Sequence, residues 1–148
     1  MFKMITAMLW ALALPAHADP DRLSLLLGSA HIGGDGFDGR NLGLFATWED
    51  RALGLDYSLG AYRNSYGRAS IAATAALPVA EWDDGALSLF AGAALYPQDG
   101  RRFAAHVGDV VPIGGVQIRQ RNLFLQIMPS DGAAVDAVIA GGITWEID

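Results

Sequence analysis

Cysteine is absent from the chain and lysine occurs once, at Lys3. The first absence excludes a disulfide framework and thiol chemistry. Basic residues are also too few for nucleic acid: ten Lys and Arg stand against sixteen Asp and Glu, a formal charge of −6, whereas a phosphate backbone requires a basic face. Beyond residue 18 no apolar run approaches the roughly 20 residues that a membrane-crossing helix needs. Histidine is scarce, with three in all, at 17, 31 and 106, so imidazole chemistry has few places to reside.

The apolar residues that are present follow an order. Met1-Phe2-Lys3, the run 4–14 and Pro15-Ala16-His17-Ala18 supply a basic start, a hydrophobic stretch and a small-x-small cleavage site, the layout of a signal peptide. Residues 1–18 are therefore expected to be removed and 19–148 to form one domain. Loss of Lys3 takes the charge from −6 to −7.

In the mature part hydrophobic residues alternate. Over 53–62, Leu53, Leu55, Tyr57, Leu59 and Ala61 fall on one face and Gly54, Asp56, Ser58, Gly60 and Tyr62 on the other, the period of a half-polar strand. A hairpin partner follows with Ala69, Ile71, Ala73, Ala75 and Leu77 on one side. The same period marks strands at 86–96, 107–118, 123–128 and 135–147, and more weakly at 23–31 and 42–48, where Leu25, Leu26 and Leu27 adjoin. Eight strands of such length predict an all-β protein, an eight-stranded antiparallel up-and-down transmembrane β-barrel of the bacterial outer membrane. Loops 33–40, 63–67, 97–103 and 129–134 then lie outside the cell, and 49–52, 78–85 and 119–122 on the periplasmic side. Trp48, Tyr57, Trp82, Tyr96 and Trp145 are expected at the membrane interfaces. A soluble β-sandwich or lipocalin-like barrel is the alternative.

Small residues on the inward face, Gly54, Gly60, Ala72, Ala76, Gly92, Ala94, Ala140 and Gly142, leave space for an acyl chain or simply let a narrow barrel close around Phe90, Tyr62 and Phe124. At the outer rim, His31 and the pair Asn64-Ser65 share one end of the barrel. A histidine beside a hydroxyl is the minimum needed to activate an oxygen nucleophile, and a solvated loop pair is the plainer reading. Arg63 and Arg68 suit lipid phosphates by guanidinium geometry. His106 with Asp109, and the loop Gly33-Gly34-Asp35-Gly36-Phe37-Asp38-Gly39, fall short of a metal site.

The order of these features resembles the lipid A palmitoyltransferase (PagP-like) family of outer-membrane enzymes. His31 matches the histidine that ends the family's first strand. Tyr62-Arg63-Asn64-Ser65-Tyr66-Gly67-Arg68 matches the segment holding its Asp-Ser pair, with Asn64 where the aspartate stands. Asn41-Leu42-Gly43-Leu44 resembles the start of its second strand, and Pro112 and Pro129 resemble the prolines flanking a lateral opening between strands six and seven. The resemblance implies an acyltransferase or acyl hydrolase on phospholipid and lipid A, with His31, Asn64 and Ser65 catalytic, no cofactor or metal, membrane lipids as partners and a monomeric barrel. Two departures stand out. Asn64 carries no charge to stabilise an imidazolium, though Asp35 or Asp38 could supply one, and no amphipathic helix precedes strand one. The alternative function is a non-catalytic barrel serving adhesion, phage exclusion or envelope integrity, and a third reading is a soluble periplasmic β-domain.

Overall fold

A computed structural model describes residues 19–130 and 135–147; the expected signal peptide and residues 131–134 of the last loop lie outside them. Eight strands, β1 (Arg22–Ile32), β2 (Gly43–Trp48), β3 (Asp56–Arg63), β4 (Ala69–Trp82), β5 (Gly85–Leu95), β6 (Val110–Gln120), β7 (Leu123–Pro129) and β8 (Ala137–Glu146), form a closed antiparallel barrel in sequence order. The ring closes where β8 pairs with β1 from Arg22 opposite Glu146 to Ile32 opposite Ala137. Closure pairs the first strand of the sheet with the last, so neither is left as an edge strand.

Alternation places the expected faces. Leu44, Leu59, Ile71, Leu77, Leu89, Ile118, Leu125 and Ile127 stand exposed on the outer surface, while Ser24, Thr47, Ser58, Thr74, Ser88, Gln117 and Gln126 line the interior. Several boundaries differ from the sequence expectation. Residues 53–55 do not begin β3: a 3-10 turn spans Ala52–Gly54 and Leu53 takes φ 67, so Gly54 is not a lumen residue. β4 runs on through Pro78 to Trp82 with an irregularity at Pro78/Ala80, and only Asp83 and Asp84 separate it from β5. A proline costs one ladder donor, and the bulge absorbs that loss. β6 starts at Val110 and not at Val107, and β8 at Ala137 and not at Val135.

The run Leu25-Leu26-Leu27, where alternation fails in sequence, is a β-bulge. Leu26 pairs with Gly142 and Gly28 with the adjacent Gly141, leaving Leu27 as an extra residue on β1. Arg22, Ser24 and Leu26 face inward below the bulge and Ser29 above it. Uninterrupted alternation would have turned Ser29 and His31 outward; the bulge turns both in.

At the end where β1 begins and β8 ends, Arg22 is bonded to Glu49 and Glu146 at 2.8 and 2.7 Å, and Arg119 to Glu49 at 2.5 Å. Burial pushes the Glu49 carboxyl up, but the Arg22 and Arg119 guanidiniums outweigh it and hold the group below its ordinary range. Thr47 with Ser58, Ser24 with Thr144 and Gln126 with Gln117 bridge neighbouring strands at 2.8 Å. The cavity of 130 Å³ that this cluster borders also touches Leu26, Ala72, Phe90, Ile113, Met128, Val138 and Ala140, with the polar Ser29, Asn41 and Ser65 at its other end.

Candidate functional site

His31, one residue before the end of β1, and Ser65, in the β3–β4 loop, meet across 34 positions of sequence: Nε2 lies 2.8 Å from the Ser65 Oγ. The imidazole is stacked against Phe37 from the β1–β2 loop, ring centroids 4.5 Å apart and planes 13° from parallel. Phe37 had no functional part in the sequence reading. Its only signal was an aromatic among four glycines of a loop otherwise polar.

The β3–β4 loop is organised by Asn64, whose side chain is fully buried. Its amide Nδ2 donates to the Ser70 Oγ at 2.9 Å, and its Oδ1 accepts from the backbone N–H groups of Tyr66 and Arg68 at 2.9 and 3.1 Å. Gly67, at φ 81, donates its N–H to the Asn64 carbonyl at 2.9 Å, closing a turn that favours glycine. Asn64 thus braces the loop that presents Ser65, and its bonds run to that loop and to Ser70 on β4, not to the imidazole. A carboxylate here could accept the two N–H groups but would bring a buried charge, so the amide suits the position.

The β1–β2 loop lies over this hairpin. Asp38 donates its N–H to the Ser65 carbonyl at 3.1 Å, and its carboxylate pairs with Arg63 at 3.1 Å. Buried Asn41 accepts from the Ser29 hydroxyl and donates to the Arg63 carbonyl at 3.0 Å. Gly43 opens β2 directly opposite Tyr62, where a Cβ would collide with the tyrosine. Among the described residues no carboxylate, Asp35 and Asp38 included, forms an ion pair with His31.

Ser65 borders both the lumen cavity and a second cavity of 160 Å³ that contains His31, and Tyr96, Ile113, Met128 and Val138 are common to both. The second cavity reaches the barrel wall at Pro112, Gly114 and Pro129. There the β6–β7 ladder has ended: it runs only from Gln120 opposite Leu123 to Val116 opposite Ile127, while β6 stays paired to β5 up to Val110. Pro129 has no N–H to extend it.

Aromatic rings form the cavity's outer wall. Tyr66 and Tyr96 each pack against Phe103, at 6.2 and 4.7 Å, so Tyr96 lines the mouth and does not belong to an outward interfacial belt. Behind it the buried Asp99 receives Arg68 at 2.5 Å and Arg102 at 2.8 Å. Burial raises the Asp99 pKa, yet the two guanidiniums bring it below the ordinary carboxylate value. Of the two arginines singled out in sequence, Arg63 and Arg68, neither lines a cavity; Arg102 does. His106 bonds the Phe103 carbonyl at 2.7 Å and Asp109 accepts from the Gln98 N–H at 3.0 Å; among the described residues no three His, Asp or Glu side chains gather as metal ligands would. No family model matches the chain, and no curated protein does.

Proposed function

We propose that the protein is an outer-membrane enzyme that moves or hydrolyses an acyl chain of a membrane lipid, with His31 and Ser65 as its reacting pair. The contact of 2.8 Å between the imidazole and the serine hydroxyl carries this reading. A non-catalytic rim has no need to bring the two together inside a cavity that is open to the barrel wall.

The membrane setting is supported by the outer surface. Between the rims the residues alternating with the lumen face are apolar on all eight strands, with no charge among them. The three strands of 11 residues, β1, β5 and β6, at about 3.3 Å per residue and the usual tilt, rise about 28 Å, enough to cross an apolar belt of about 25 Å. Trp48, Tyr57, Trp82 and Trp145 gather at the end where β1 begins and β8 ends, the girdle position for aromatics.

In the proposed reaction a lipid enters between the outer ends of β6 and β7 and lays its chain against the apolar side chains of the lumen. The Ser65 Oγ attacks the ester carbonyl while His31 Nε2 accepts its proton; the proton then passes to the departing alcohol oxygen. An acyl-Ser65 ester is left, and a water or a second lipid hydroxyl, deprotonated by His31, takes the acyl group and restores Ser65. Phe37 fixes the imidazole plane, and Asn64 positions Ser65.

Mass spectrometry of lipid A and phospholipids from cells expressing the wild type, His31→Ala or Ser65→Ala tests this. A changed acylation pattern should appear with the wild type, and either variant should lower it 100-fold or more, in keeping with about 10²–10⁴ for general base catalysis. Identical lipids in all three would leave a non-catalytic barrel.

A further inference from the structure

We propose that Arg102 is a binding site for the phosphate group of a membrane lipid, holding that lipid beside the His31–Ser65 pair; as a substrate-binding role it rests on the acyl-transfer reading above. Three observations support it. Arg102 lines the same cavity as His31 and Ser65. Its guanidinium is held in place: Nε donates to the Asp99 Oδ1 at 2.8 Å, the plane sits 4.7 Å over the Tyr66 ring, and the anchoring carboxylate is only 1% exposed. The side chain itself is 60% exposed, and its two Nη groups have no hydrogen-bond partner among the described residues. A guanidinium fixed through Nε with its Nη edge free is the fork that accepts two phosphate oxygens.

Charge points the same way. Arg68 occupies the other Asp99 oxygen, so two guanidiniums share one carboxylate and the cluster keeps a net positive charge at the mouth. Arg63, by contrast, is matched one to one by Asp38. Much of the remaining wall, including Phe37, Phe103, Val111, Ile113 and Met128, is apolar. A ligand satisfying both surfaces carries a phosphate beside hydrocarbon. The phosphate of a glycerophospholipid and that of a phosphorylated glucosamine lipid offer the same chemistry.

The test uses the exported full chain carrying His31→Ala, purified in uncharged detergent, so that binding is read without turnover. Two pairs of short-chain probes separate the sources: dioctanoyl phosphatidic acid against dioctanoylglycerol, and an acylated glucosamine phosphate against its dephosphorylated form. Binding of at least one phosphorylated probe should exceed that of its neutral partner tenfold or more, fall about tenfold with Arg102→Gln, recover partly with Arg102→Lys, and stay unchanged with Arg101→Gln. The responding pair names the source. Lack of any phosphate preference in the parent protein overturns the proposal whatever the variants do, as does an equal loss with Arg101→Gln or an equal loss for neutral and phosphorylated probes. Phosphate binding through Arg102 in a protein that never alters lipids would sink the acyl-transfer reading alone.

Discussion

His31 is held by a stack with Phe37 and by one hydrogen bond to Ser65, an arrangement in which an aromatic ring fixes the imidazole where a carboxylate commonly does. Replacing Phe37 by Leu should therefore lower kcat about tenfold with little change in KM, because small losses of alignment are costly in a positioned pair. Phe37→Tyr should restore most of it, and an unchanged kcat in Phe37→Leu would deny the ring its role. Asp99 provides a pH dependence. Its folded pKa is depressed, so its contribution is complete above the ordinary carboxylate pKa of 3.8 and is lost as the pH falls through the lower folded value. Removing it as Asp99→Asn should cost about 1–2 kcal/mol near neutrality, discounted because both arginines are roughly half exposed. Unfolding midpoints at pH 5 and pH 2.5 should converge between wild type and variant at the acid end; a constant difference would contradict the assignment.

β1 shows how one extra residue chooses which side chains enter the barrel. Because Leu27 is the unpaired residue, its deletion should straighten the strand while leaving Ser29 and His31 on the inner face. Such a variant should still fold to a barrel and keep most of the proposed lipid-modifying activity, measured by mass spectrometry. Loss of activity with a retained barrel would show that the kink itself matters. The β6–β7 pair makes the complementary point: both strands are present, yet their ladder stops at Val116 and Ile127, and the open part of the wall is where the cavity emerges.

The barrel as a whole turns its charges to the two ends and its apolar residues outward. Leu89 lies mid-strand on that outer face, paired with Leu77 and Val116 and half exposed. In a lipid belt Leu89→Arg should destabilise the barrel by about 2–4 kcal/mol, read from urea unfolding in liposomes by the electrophoretic shift of the folded form. A variant that became water-soluble and equally stable without detergent would point to a soluble barrel. Extraction of the wild-type protein should likewise require detergent.

Strand number, strand order and the facing of alternate residues into or out of the barrel were legible in the sequence because a period of two is a local property: each half-polar strand carries its own pattern. The pattern misplaced several strand ends, and two places show why. Leu53 reads as part of β3 but caps a turn, and Leu25-Leu26-Leu27 reads as irregular because an extra residue has no sequence signature beyond broken alternation. His31 and Ser65 were identifiable as residue types suited to the chemistry. Their meeting depends on ring closure, on the bulge and on the Asn64 brace, each a matter of partners far along the chain. Asn64 shows the limit most plainly: as a letter it looked like a lost charge, whereas in the fold its amide is spent on holding the loop. Arg102 and Phe37 became part of the site only when loops from different hairpins were folded over one mouth, an arrangement set by packing between segments and by no pattern within either.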